Sequence, residues 1–418
     1  MKPRNAQKAG VVFFALSLVL LQTVPLGVAA PDVSSDPRVS NPPTVRVTTS
    51  AELVNALNRA TGGEEIVLAA GNYAPIDFSN KQYTSYVTIR SEDPVRRAVF
   101  DTLHLTNVSY MRFRGVVIHH DRLPTDTDYT RAFYVKHSNH LEVLDSEFHG
   151  SVDGIYNNDV RGFGTSLTQD VLFEGNVLHD LYIGGTFYDT DHVIVRNNTF
   201  KNIRCDGVAF QSASHVLVEN NFFTSFHPVL TGAQPDHMDF IQFWNSTATK
   251  DMTDIVIRGN VMLRGTGDYM QSIFIETKSD NGLYVGRDIL IERNVIYNGK
   301  MQGITVYDVA SGLIIQHNTV LADWLGDIAN WRTYPRLELV RTTNAIVRYN
   351  VLTYYDPEGD TGTVYQDNVM VQFTSGTNNN YAQLFSGAKN FGPAVTLRDF
   401  TPLAGGPLVR EGKDIGAL

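Results

Sequence analysis

The stretch VLFEGN (Val171–Asn176) returns as VIVRNN (Val193–Asn198), VLVENN (Val216–Asn221), IVIRGN (Ile255–Asn260), ILIERN (Ile289–Asn294), LIIQHN (Leu313–Asn318) and AIVRYN (Ala345–Asn350). The steps between the closing Asn residues are 22, 23, 39, 34, 24 and 32. The short steps set a repeat near 22 residues, and the longer steps leave the six-residue pattern untouched. A stack in which each coil contacts only its neighbours tolerates such insertions, because a loop can leave one turn without moving the next. The spacing therefore predicts a solenoid.

Within each unit, alternation places branched residues inward and Arg, Glu or Gln outward. Met111–Val116 and Leu141–Ser146 fit the same frame as degenerate earlier coils. Asn at the closing position can turn the chain and hydrogen-bond along the stack, a structural role. A second strand family lies between the units: Asp153–Tyr156, Asp180–Ile183, Asp206–Gln211, Asp239–Trp244, Gln271–Glu276 and Gln302–Tyr307. Residues two and four after each leading position are expected in the core, and those one, three and five after it in solvent. That places Gln211, Trp244, Glu276 and Tyr307 in one outer row and Tyr156, Gln242 and Thr305 in the next. Such rows form a long shallow groove suited to an extended polymer.

Residues 1–30 combine Lys2, Arg4 and Lys8 with an apolar run from Val11 to Leu21 and end in Val28-Ala29-Ala30, the pattern of a signal peptide cleaved after Ala30. A single N-terminal membrane anchor is the alternative, for which the run is short. The expected location is secreted or periplasmic, with no stable membrane insertion. Cys205 is the only cysteine, so no intramolecular disulfide is available. Loss of the three basic residues with the leader takes the formal charge from −10 to −13, which argues against a nucleic-acid partner.

Residues 31–47 read as a flexible leader. A short helix follows, capped by Thr49 with Glu52 three residues on, apolar at Leu53, Leu57 and Ala60, and stopped by Gly62-Gly63. This helix and the segment GGEEIVLAAGNY after it resemble the N-terminal cap of right-handed parallel β-helices of the pectate-lyase-like superfamily. The resemblance implies an all-β, single-stranded right-handed parallel β-helix with a capping helix, a β-helix with inserted loops over 48–351, and terminal coils with a C-terminal cap over 352–418.

The densest polar cluster runs from Arg204 to Glu276. Strand alignment brings Asp206 and Asp239 onto neighbouring coils, and the insert from Thr224 to Met238 carries His237 to the groove edge. His237 is the expected proton acceptor, oriented by Asp239 or Asp236. Arg204 and Arg264 are candidate cations for a substrate carboxylate. Tyr182, Tyr188 and Tyr269 are candidate proton donors, and Trp244 can stack on a sugar face. Asp206, Asp236, Asp239 and Glu276 could cage Ca²⁺; the expected cofactor is none, or Ca²⁺. The histidines His119, His120, His137, His140, His149 and His179 show no zinc spacing.

Cap, repeats and groove resemble secreted β-helix enzymes of acidic polysaccharides: pectate and alginate lyases, C5-epimerases and polygalacturonase-type hydrolases. The epimerases show Asp-Pro-His where this chain has Pro235-Asp236-His237. The resemblance implies a monomeric polysaccharide lyase acting on a uronate-containing polymer by β-elimination, with C5-epimerisation, hydrolysis and simple glycan binding as alternatives.

Overall fold

Every unit closed by Asn forms a strand, and successive strands lie in parallel register, with Val171 opposite Val193, Val193 opposite Val216, Val216 opposite Ile255 and Ile255 opposite Ile289. The structure is a computed structural model that describes residues 42–230, 236–323, 334–371, 380–410 and 413–418. The signal peptide or anchor expected at 1–30 and residues 31–41 of the leader lie outside the described residues. Its last segment, Thr44–Val47, is a strand paired with Glu65–Leu68 rather than free leader.

The chain winds as a right-handed parallel β-helix, the hand that twisted strands impose on parallel crossovers. Each full coil has three faces. A groove strand such as Val208–Gln211 leads into the Asn-unit strand Ser214–Glu219, and a third strand, Phe222–Thr224, follows Asn221. The third face is a twelve-stranded parallel sheet of short strands. Its inward residue lies two after each ladder Asn: Leu178, Phe200, Phe223, Met262, Ile296, Val320 and Leu352 are all fully buried. Aromatic rings stack through the core, as in Phe187–Phe210 at 5.0 Å and Phe210–Phe243 at 4.4 Å.

The Asn side chains form one continuous ladder. Asn260 Nδ2 donates to Asn294 Oδ1 at 3.0 Å and to the Val218 carbonyl at 2.9 Å, while its Oδ1 accepts from Asn221. The pattern continues past Asn350 to Asn368, so one further coil follows the seventh unit. The turn itself belongs to the preceding residue, which has positive φ throughout, from Asn197 (57°) and Asn220 (55°) to Tyr349 (56°) and Asp367 (51°).

Helix α1, Ser50–Arg59, buries Leu53, Ala56 and Leu57, and Thr49 caps it by accepting from the Glu52 N–H. Near the C-terminus, Tyr381, Leu384, Phe385, Phe400 and Leu408 pack on the outward residues Leu263, Tyr297 and Leu321 of the third face. The tail thus covers a side of the coil. No helix among the described residues is long and apolar enough to cross a membrane.

Two substitutions test this packing. Asn260→Ala strands several buried partners and is expected to cost about 2–4 kcal/mol; an unshifted urea midpoint would refute the ladder's role. Gly207→Ala would set a Cβ 2.5 Å from the Phe240 carbonyl and 2.8 Å from the Phe223 ring. It is expected to cost about 1–3 kcal/mol, read in the same titration.

Candidate functional site

The start of each groove strand decides what faces the polymer side. The residue one after the leading position points inward, contrary to strict alternation from the sequence. A Cβ at Gly184 or Gly207 would meet core phenylalanines and the next coil's backbone, and Phe240 packs on Phe223 and Phe226. Two successive inward residues turn the leading residue itself outward. Backbone bonds align that row: Gly162 N–H to Ile183 O, Gly184 N–H to Asp206 O and Gly207 N–H to Asp239 O. The row therefore runs Arg131, Arg161, Ile183, Asp206, Asp239, and Arg161, Ile183 and Asp206 line an open cleft of about 700 Å³.

His237 sits in this cleft, its side chain 50% exposed, over two carboxylates that are almost fully covered. Its Nδ1 lies 2.9 Å from Asp239 Oδ2, 3.7 Å from Asp206 Oδ1 and 3.1 Å from the Gln242 amide. Asp206 also accepts the Asp239 backbone N–H at 3.0 Å. Asp239 has no exposure, and neither of its oxygens receives a well-aligned hydrogen bond among the described residues. The carboxylates of Asp206 and Asp239 together raise the His237 pKa to about 10, against the opposing effect of burial. Burial raises the Asp239 carboxyl, opposed by His237. At neutral pH the ring is an imidazolium whose Nε2 has no protein acceptor among the described residues.

Flanking residues fall as the register dictates. Gln211, Trp244, Glu276 and Tyr307 form one row, with Gln242, Phe274 and Thr305 beside it. Tyr188 takes the place before Gln211, and its ring meets Trp244 edge-on at 6.4 Å. Burial pushes the Tyr182 hydroxyl up to about 12 and raises the Glu276 carboxyl. Arg204 lies over Tyr182 at 4.9 Å and is held by both oxygens of Asp236, at 2.8 and 2.9 Å. Asp236 also accepts the Val229 N–H at 2.7 Å, pinning the insert that presents His237.

Other expected residues lie elsewhere. Arg264 pairs with buried Asp323 at 3.0 Å and stacks on Tyr269 at 4.0 Å, and neither Arg264 nor Tyr269 lines the cleft. Asp153–Tyr156 is no groove strand: that coil's strand is Arg161–Ser166, and Tyr156 stacks on His227 at 3.9 Å. Asp180 ends a third-face strand, and Ile183 holds the leading place. In the cleft the donors close enough to share a cation among the described residues are Asp206, His237 and Asp239, each offering one atom within 4.8 Å of the others, a mixed nitrogen and oxygen set; Asp191, His192 and His215 make a second such set elsewhere. Asp236, committed to Arg204, and Glu276 are outside it. Sequence reading missed Arg131 and Arg161, although RAFYV and RGFGT stand 30 residues apart, the spacing of the neighbouring units.

The family model described as "Right handed beta helix region" matches residues 78–223. No curated protein matches the chain. Among solved structures, an alginate lyase from Paenibacillus sp. is 16% identical, covering 78% of this chain and 99% of its own at a TM-score of 0.44. A family 28 exopolygalacturonase of Yersinia enterocolitica is 12% identical over 79% of this chain and 78% of its own, with a TM-score of 0.38. The surface adhesin PfbA of Streptococcus pneumoniae is 12% identical over 76% and 85%, at 0.43. Two enzymes named for different reactions and one adhesin assign no reaction to this chain.

Proposed function

We propose that the chain is a secreted or periplasmic polysaccharide lyase that cleaves an acidic, uronate-containing polymer by β-elimination. The observation that supports this reading is the open edge of His237 in the cleft, backed by two covered carboxylates. With its proton held up to about pH 10, the ring serves at neutral pH as a donor rather than the acceptor expected from sequence. Its Nε2 proton goes to the leaving glycosidic oxygen. Its positive charge also favours the negative charge that develops on the uronate carboxylate as the C5 proton leaves.

Glu276, one coil beyond Trp244, lines the same cleft. A carboxyl raised by burial is a stronger base once ionised, and Glu276 takes the C5 proton. The electron pair of that C–H bond becomes the C4–C5 double bond, the C4–O bond breaks, and the leaving oxygen takes the imidazolium proton. Solvent returns the proton from Glu276 to His237. Trp244 stacks on a sugar face while Gln211, Gln242 and Tyr307 bond its hydroxyls along the groove.

Ultraviolet absorbance of unsaturated ends, followed over a panel of polyuronates, tests the reaction. New reducing ends without that absorbance would replace elimination by hydrolysis, and altered sugar configuration without new ends would replace it by epimerisation. His237→Gln is expected to lower kcat by about 10²–10⁴-fold with little change in KM. In the wild type, kcat/KM is expected to fall as pH rises through about 10, where the donor is lost. It should also fall on the acid side, at a pH above the usual carboxylate range, as Glu276 is protonated. Activity that climbs through pH 10 would make His237 the base and sink the donor assignment.

A further inference from the structure

Arg131 and Arg161 head neighbouring groove strands and stand in direct register. They are 8% and 7% exposed, yet among the described residues neither forms an ion pair. Two acidic residues of the same cleft are already committed: the Asp128 carboxylate goes to Arg122 at 2.8 Å, and Asp236 goes to Arg204. Arg161 Nε bonds only the Asp128 carbonyl at 2.7 Å, and its Nη1 lies 3.4 Å from the Tyr188 hydroxyl. Arg131 donates to Thr186 Oγ1 and the Tyr129 carbonyl, both at 3.0 Å. The Nη2 group of each has no acceptor among the described residues.

Two covered guanidinium groups side by side without a counter-charge are unfavourable, because burial strips their hydration and each repels the other. The Arg131 pKa is lowered by burial first and by Arg161 second. The backbone makes room for this arrangement. A Cβ at Gly164 would fall 2.3 Å from Arg131 Cδ, so the missing side chain lets Arg131 cross one coil to reach Thr186. Tyrosines cover the flat faces, with Arg131 over Tyr134 at 4.5 Å and Tyr188 at 5.6 Å, and Arg161 over Tyr129 at 5.0 Å and Tyr182 at 5.7 Å. Stacked faces leave the N–H edges as the means of binding, and those edges match a planar oxyanion.

We infer that Arg131, Arg161 and the Tyr188 hydroxyl form a carboxylate clamp for a sugar unit other than the reacting one. Arg161 heads a strand three coils before the one that Asp239 heads, about 14 Å at ~4.8 Å per coil, which leaves room for a further sugar unit between the clamp and His237, while the Tyr188 ring reaches to 6.4 Å from Trp244. The clamp thus sets the register of the polymer and makes an acidic unit at that distance a requirement. The inference rests on the polyuronate reading of the cleft, but its test is binding and needs no turnover.

Affinity electrophoresis in alginate and polygalacturonate, in their carboxyl-reduced forms and in dextran sulfate separates the cases. His237→Gln, inactive as a lyase, is expected to bind a polyuronate as the wild type does. The double variant Arg131→Gln/Arg161→Gln is expected to lose at least about tenfold in affinity, with KM raised more than kcat is lowered. Its thermal midpoint should match or exceed that of the wild type, since unpaired buried charge is removed; a purely structural role would lower it. The two Lys variants, charged but without the planar fork, should show intermediate affinity. Unchanged polyuronate binding by the double variant, or equal wild-type binding to carboxyl-reduced polymer, would overturn the clamp. Arg-dependent binding of dextran sulfate alone would overturn the carboxylate in favour of a sulfate ester. If no polymer yields unsaturated ends while polyuronate binding still depends on Arg131 and Arg161, the lyase reading fails and the clamp stands.

Discussion

A buried asparagine amide that finds partners in the coils on either side fixes the register of this molecule. From Asn176 to Asn350 each ladder Asn offers two N–H groups and one oxygen in a place water does not reach, and leaving them unpaired is costly. Asn198 joins Asn176 to Asn221, and Asn294 joins Asn260 to Asn318. A slip by one residue in any coil would remove bonds on both sides and turn a whole strand face over. Everything the cleft does follows from this alignment, which sets Asp239 beside Asp206 although 33 residues separate them.

The Asn units and the row Gln211, Trp244, Glu276 and Tyr307 were legible because strand interiors alternate with period two. The third face was not read from the sequence: an apolar residue follows each ladder Asn at a spacing of two, but three-residue strands are too short to declare themselves beside loops. What alternation cannot give is the bend at the start of a groove strand, where two residues in succession turn inward. That bend puts Asp206 and Asp239, rather than Gly207 and Phe240, in the outward row. It also explains the misplaced coil: Asp153-Gly154 imitates Asp206-Gly207 in sequence, while the strand in register begins Arg161-Gly162. Small residues after the leading position mark the bend in most coils, Phe240 being the exception; the residue before them varies with the task of the coil.

That variation gathers charges of one sign at a time. Covered Asp239 has His237 as its counter-charge, whereas covered Arg131 and Arg161 have none among the described residues. Packing alone does not require either arrangement, since Ile183 holds the same leading place with no charge. Groups held away from their ordinary protonation or pairing tend to mark chemistry, and here Arg161 and His237 share one cleft. Arg204 and Arg264 look equally available in the sequence, but Asp236 and Asp323 neutralise them. A cation's worth to a ligand depends on its partners, which only the fold supplies.

The leading row also has a direction, running from Arg131 and Arg161 through neutral Ile183 to Asp206 and Asp239. A polyuronate has two different ends, and on the proposed reading an axis with cations at one side and a proton donor at the other favours one sense of binding. The chain as a whole carries a formal charge of −10, a field that opposes a polyanion at long range. At physiological ionic strength that field is screened beyond about 8 Å, whereas guanidinium edges in a covered cleft act at contact and are screened far less. On the proposed reading, repulsion acts on approach, and the local cations govern once the polymer lies in the groove. An acidic surface and an acidic substrate are compatible so long as the positive charge is concentrated where the backbone has left space for it.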